Sequence, residues 1–245
     1  MPAPHVVVSV RHVSKTFVLR HTRSLKEAVV WLVKGRRGDL SAHFKALDDV
    51  HFDVCDGETV ALLGLNGSGK STTLKLISGV MRPDSGTVGV RGRIAGLIEV
   101  GAGFHPDLTG RDNVYLNGAI LGMSKEEIQE RFDDILAFSE IGEFIDTEVK
   151  FYSSGMYLRL AFAVAVHTDP DVFLVDEILA VGDEPFQRKC IGRIKELVAA
   201  GKTLVVVSHD LNLVQDICAR GIVMQHGRLA FDGPCPEAVA FLRGQ

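Results

Sequence analysis

Apolar residues along the chain fall into two rhythms. Short continuous runs are read as buried strands: one opening at Val6 to Val10, then Glu58 to Gly64 (ETVALLG), Val172 to Glu177 (VFLVDE) and Thr203 to Asp210 (TLVVVSHD). Val50 to Val54 reads as a further strand, expected to pair beside the Glu58–Gly64 run. Between these runs the spacing turns helical over Lys70 to Ser78, Asn113 to Leu121, Lys125 to Glu140 and Tyr157 to Val166. Ser124 stands three residues before Glu127, the spacing of a helix capping box. GIVMQHGRLAFDG reads as a hairpin turning at His226 and Gly227. Strands alternating with helices imply an α/β protein on a parallel or mixed sheet.

One helical stretch stands apart. Leu25, Ala28, Val29, Leu32 and Val33 make a single apolar stripe, with Trp31 nearby. Residues 20 to 45 carry seven Lys or Arg against Glu27 and Asp39, a net of +5; the whole chain is −4, so the remainder carries −9. A basic amphipathic helix of this kind suits anionic lipid headgroups or a membrane-embedded partner, or else packs on the protein's own core.

Composition narrows the class. The 245 residues are 46% hydrophobic and 24% charged, which is globular and long enough to bury a substantial core. No run of 18 uncharged apolar residues occurs, so no membrane span is expected. Cys55, Cys190, Cys218 and Cys235 show no metal-ligand spacing, and no secretory signal precedes them; reduced core thiols in the cytoplasm are expected.

The chemistry begins at Gly64, Leu65, Asn66, Gly67, Ser68, Gly69, Lys70, Ser71, with Thr72 following. Gly, four residues, Gly, Lys and a hydroxyl residue between a strand and a helix is a phosphate-binding loop. The glycines let the backbone fold around phosphate oxygens, and the helix N-terminus adds partial positive charge. Lys70 is expected on the outer phosphates of ATP and Ser71 on Mg2+. The strand at 172 to 177 delivers Asp176 to the metal and Glu177 to the attacking water, as two carboxylates ending a buried strand need a cation or polar partners. Ser153, Ser154 and Gly155 open an apolar helix sixteen residues before that carboxylate-tipped strand, a second anion-seeking helix start or an ordinary cap.

With these motifs in order, the chain resembles the nucleotide-binding subunits of ATP-binding cassette (ABC) transporters. YSSGMYLRLAFAVAV is similar to that family's signature segment, with Ser-Ser-Gly in place of the commoner Ser-Gly-Gly. The resemblance implies a P-loop NTPase of ABC type, with a RecA-like core lobe at about 1–95 and 166–245 and a helical lobe at about 96–165. It also implies a homodimer that clamps ATP between the phosphate loop of one copy and Ser153–Gly155 of the other. By the same resemblance, His209 contacts the γ-phosphate and helps position water, Asp183 crosses the dimer interface, and Phe17, or Phe44 beyond the insertion, stacks on adenine. Glu99 stands as the substitute for a Gln that the family uses to couple the site to its membrane subunits.

The insertion at about 20–45, with GAGFHPDLTGRDN and VDEILAVGD, resembles the ATPases that export lipid-linked polysaccharides such as O-antigen, teichoic acid, capsule and galactan. The implied assembly is two ATPase copies on two copies of a separate membrane permease at the cytoplasmic face of the inner membrane, acting on lipid-linked polysaccharide and not on nucleic acid. An exporter of another lipid or of drugs, a soluble ABC ATPase acting on ribosomes or DNA, and a non-catalytic assembly module are the alternatives.

Overall fold

Two sheets stack so that alternate residues of the central strands face different neighbours. The computed structural model describes residues 5–20, 41–96, 103–176 and 183–244. A three-stranded antiparallel sheet in the order β2-β1-β4 combines β1 (Val6–Arg20), β2 (Ser41–Cys55) and β4 (Ser85–Val90). A six-stranded sheet runs β5-β6-β7-β3-β8-β9, from β5 (Ile94–Gly96), β6 (Val172–Asp176), β7 (Thr203–Val207), β3 (Thr59–Leu63), β8 (Arg220–Gln225) and β9 (Arg228–Pro234). Its pairs are parallel except the β8–β9 hairpin. That hairpin turns at His226 and Gly227, whose φ angles of 50° and 77° meet the two-residue turn's demand for left-handed backbone.

The Val50–Val54 expectation is corrected. Val54, Phe52 and Val50 pair with Val8, Val10 and Val13 of β1, not with the phosphate-loop strand. β3 has both edges occupied by β7 and β8 and is buried throughout. Its neighbourhood with β2 is through packing: Val60 and Leu62 share one core with Val50, Phe52, Val54 and with Leu74 and Ile77 of α1 (Lys70–Ile77). The other face of the same strand, Ala61 and Leu63, packs on α4 (Ser154–Val166), α5 (Glu184–Ala199), α6 (Leu211–Ile217) and α7 (Cys235–Arg243) through Phe162, Phe186, Val214 and Ala238. Strand residues alternate across the pleat, so a strand apolar on both faces belongs in the middle layer.

The segment 103–166 is helical, with α2 (Gly110–Ile120), α3 (Lys125–Ser139) and α4 around a core of Val114, Ile128, Phe132, Ile135, Leu160 and Val164. Ser124 and Glu127 make the expected capping box, and Thr109 with Asp112 makes a second. The helix expected from Tyr157 begins three residues earlier, because the Ser153 hydroxyl accepts the Met156 N–H and starts the first turn at Ser154. β2 begins at Ser41, so residues 41–45, read in the sequence as the end of the insertion, are strand paired to β1. The amphipathic stripe Leu25–Val33 lies outside the described residues.

Candidate nucleotide site

Strand register levels three loops at one edge of the large sheet. Val207 of β7 pairs with Asp176 of β6 on one side and with Leu62 of β3 on the other. The chain leaving β3 at Gly64, the carboxylate of Asp176 and the turn carrying His209 therefore emerge together at the C-terminal ends of parallel strands, where α/β sheets place their ligands.

The loop from Gly64 to Lys70 is shaped by three glycines in left-handed or strained backbone, two of which, Gly64 and Gly69, also leave no room for a Cβ. Gly64, Gly67 and Gly69 have φ angles of 143°, 78° and 106°. A Cβ on Gly69 would stand 2.6 Å from Leu47 Cδ2 and 2.8 Å from the Ala46 carbonyl oxygen, so the loop lies flush on β2. A Cβ on Gly67 would meet nothing within 4 Å, leaving that stretch of backbone open. Lys70 is buried, and its ammonium donates to the carbonyl oxygens of Gly64 at 2.8 Å and Leu65 at 3.1 Å. Ser68 Oγ is buried without a hydrogen-bond partner among the described residues. Ser71 is exposed and Thr72 half-buried on the first turn of α1. A cleft of about 120 Å³ runs along Leu65, Asn66, Gly67 and Ser68 to Gln225 and His226 of the hairpin turn.

His209 is exposed just beyond β7, on a turn stabilised by Asp210, whose carboxylate accepts the Asn212 and Leu213 N–H groups at 3.0 and 3.1 Å and caps α6. Ser153 and Ser154 are exposed and Gly155 half-buried at the start of α4. Nothing in this chain explains the glycine at 155: its φ is ordinary, and an added Cβ would meet only Ser153 Oγ at 3.8 Å. Phe17 and Phe44 are direct partners in the β1–β2 ladder, which puts both rings on one face of the hairpin. Phe44 is 45% exposed, and the Lys15 ammonium stands 6.0 Å from the centre of the Phe17 ring. Glu99 and Glu177 lie outside the described residues.

Asp183 is the residue whose surroundings the sequence did not foreshadow. It occupies the N-cap position of α5 yet makes no cap hydrogen bond. Its Oδ1 instead accepts from Arg159 of α4 at 2.5 Å. Arg159 was missed in the sequence because an Arg on an apolar helix reads as a solvated position until other helices are packed against it.

Three comparisons bear on this arrangement. The family model described as ABC transporter matches residues 47–180, from β2 past the acidic end of β6. The chain belongs to the ABC transporter family. Among curated relatives of this ABC protein, the ABC transporter protein AbcA of Aeromonas salmonicida is 47% identical over 95% of this chain and 74% of the relative. The O-antigen export system ATP-binding protein RfbB of Klebsiella pneumoniae is 44% identical over 92% of this chain and 92% of its own length. The teichoic acids export ATP-binding protein TagH of Listeria monocytogenes serotype 4b (strain F2365) is 42% identical over 95% of this chain and 68% of its own. Among solved structures, the ATP-binding cassette MJ0796, a dimer in a post-hydrolysis state bound to ADP and Pi, superposes with a TM-score of 0.72 at 26% identity, covering 93% of this chain and 98% of that one. The ABC domain is a nucleotide-binding ATPase domain, and the P-loop NTPase fold of ABC type expected from the motifs is the fold found.

Proposed function

We propose that this chain is the ATP-hydrolysing subunit of an exporter that moves lipid-linked polysaccharide across the bacterial cytoplasmic membrane. The observation that carries the reading is the 44% identity, over 92% of both chains, to an O-antigen export ATP-binding protein. The apolar stripe beside Trp31 with its basic flanks supports it, since that pattern suits a membrane face. In this reading a separate permease spans the membrane and this chain is peripheral to it on the cytoplasmic side; no helix among the described residues is long and apolar enough to cross a membrane.

The residues at the sheet edge fit MgATP. Lys70, now held by two loop carbonyls, exchanges these neutral acceptors for the anionic outer phosphate oxygens, which makes stronger hydrogen bonds to the ammonium. Backbone N–H groups around the open Gly67 turn and the start of α1 donate to the phosphates. Ser71 and Asp176 would hold Mg2+, a hydroxyl and a carboxylate being the oxygen donors that such an ion takes. Bound there, Mg2+ would supply neutralisation of the negative charge on the phosphates. Glu177 orients or deprotonates the attacking water, and His209 touches the γ-phosphate and steadies that water. Phe17 and Phe44 offer an aromatic face to adenine.

The second half of the site comes from another copy. Ser153, Ser154 and Gly155 present hydroxyls and a helix start to the opposite copy's γ-phosphate, and the room at Gly155 suits a close external approach. Asp183 meets the opposite copy beside them. The core lobe at about 1–95 and 166–245 and the helical lobe at about 96–165 turn relative to each other as two MgATP close the homodimer; Glu99 relays the change to two permease copies, and hydrolysis at Glu177 reopens it.

The test is ATP hydrolysis by the chain assembled with its membrane partner. Added lipid-linked polysaccharide stimulates the rate several-fold, while ribosomes or DNA leave it unchanged. Stimulation by either of those and not by the glycan would move the chain to the soluble ABC class.

A further inference from the structure

Three helices converge on one guanidinium. Arg159, on the second turn of α4, donates from Nη1 to Glu140 Oε2 at 2.8 Å and from Nη2 to Asp183 Oδ1 at 2.5 Å. Its guanidinium carbon lies 4.8 Å from the centre of the Phe186 ring of α5, itself buried. Glu140 ends α3 in the left-handed conformation, φ 58°, which turns its side chain back toward α4 and α5. There it also accepts from Lys189 of α5 at 2.9 Å, and Lys189 caps α3 by donating to the Phe138 carbonyl at 3.0 Å. Lys189 first, and Arg159 with it, hold the Glu140 carboxyl below the usual carboxylate range.

The informative member is Asp183. With φ −82° and ψ 167° it has the extended backbone of an N-cap residue, and Asp is among the residues that cap best. Its carboxylate nevertheless leaves the α5 N–H groups and goes to Arg159. A planar fork stacks flat on Phe186 while its two ends reach two carboxylates in fixed, divergent directions, a geometry that the point charge of an ammonium does not impose.

We propose that Arg159 is a positioning residue that locks Asp183 to the helix opened by Ser153, Ser154 and Gly155, so that both elements meet the opposite copy as one rigid body. The inference rests on the shared-site reading above. Arg159 itself touches neither nucleotide nor water; it sets the distance between Asp183, which meets the opposite copy, and Ser153–Gly155, which meet that copy's γ-phosphate. A small displacement of either costs the productive geometry far more than it costs the fold.

The test is a double-mutant cycle in a Glu177→Gln background, reading ATP-driven dimerisation by sedimentation. Arg159→Lys weakens the dimer about tenfold, and Asp183→Ala at least as much. Arg159→Lys added to Asp183→Ala weakens it no further, because the link is already gone. ATP affinity of the single chain, measured below the dimerisation concentration, and the melting temperature stay at parent values for Arg159→Lys. Multiplying effects in the double variant would overturn the proposal, as would a single-chain ATP affinity or melting temperature that falls in step with dimerisation. A Glu177→Gln parent that stays monomeric with ATP would remove the shared-site reading and this proposal with it. A parent that dimerises while Arg159→Lys dimerises equally well would remove the proposal alone.

Discussion

Gly227, at the tip of the β8–β9 hairpin, donates its N–H to the Ser68 carbonyl at 3.1 Å, and its own carbonyl accepts the Asp48 N–H at 2.8 Å. The phosphate loop is thus bolted to the far hairpin and, through Asp48, to β2. Asp48 is fixed in turn by Arg228, whose Nε donates to it at 2.8 Å, and by Lys45. A loop bonded to a hairpin that is itself bonded to β2 presents its N–H groups without having to be ordered by the ligand, which is where preorganised anion sites gain their affinity.

This seating predicts different costs for two neighbouring glycines. Gly69→Ala drives a methyl against Leu47 and the Ala46 carbonyl at a φ of 106° and should lower stability by about 2–4 kcal/mol. Gly67→Ala meets no atom within 4 Å and carries only backbone strain, about 1 kcal/mol. Urea denaturation of both variants measures the difference; equal losses would mean that the seating on β2 is not what shapes the loop.

Lys70→Ala removes the buried ammonium that bridges the Gly64 and Leu65 carbonyls. Charge-assisted hydrogen bonds contribute about 1.5–3 kcal/mol, so ATP affinity should drop roughly 10- to 100-fold in a nucleotide titration. Unchanged affinity would take Lys70 off the phosphates.

Phe17→Ala tests the aromatic face. Stacking on a base is worth about 1–3 kcal/mol, so the variant should weaken ATP roughly tenfold and leave inorganic tripolyphosphate unaffected. A parallel loss for tripolyphosphate would show that the ring supports the fold rather than adenine.

Much of this molecule was legible because its information is local. The buried strand, glycine loop and helix over 58–78 are contiguous, and so is the Ser124–Glu127 capping box. What was not legible depends on distant partners. Val50, Phe52 and Val54 carry an apolar pattern that fits either β1 or β3, and only the occupied edges of β3 decide between them. Apolar spacing alone starts α4 at Tyr157, whereas the Ser-Ser-Gly helix start marks its first turn: Ser153 caps it and the helix begins at Ser154. Thr109 escaped because its partner at the third position is Asp112 rather than the commoner Glu or Gln. Arg159 became informative only when α3 and α5 delivered Glu140 and Asp183 to it. The choice between Phe17 and Phe44 also changes character, since the ladder pairs them on one face.

Acid sensitivity should trace to His167. Burial at the end of α4 pushes its imidazole pKa below the ordinary value near 6.5, outweighing the hydrogen bond to the Ala163 carbonyl at 2.6 Å, and the nearby Arg193 and Arg131 add to the shift. The unfolded chain then binds the proton more readily than the folded one, so stability is fully present above about pH 6.5 and is lost as pH falls from there toward the folded-state value. His167→Gln should flatten that part of the stability profile in urea titrations between pH 7 and 5; an unaltered slope would place the sensitivity elsewhere.

Export itself is the claim that matters most. Cells in which Glu177→Gln is the only copy of this chain should lose the polysaccharide from their surface and accumulate its lipid-linked form inside, both read by extraction and gel analysis of glycan. Normal surface polysaccharide in those cells, with no lipid-linked form accumulating, would contradict the account.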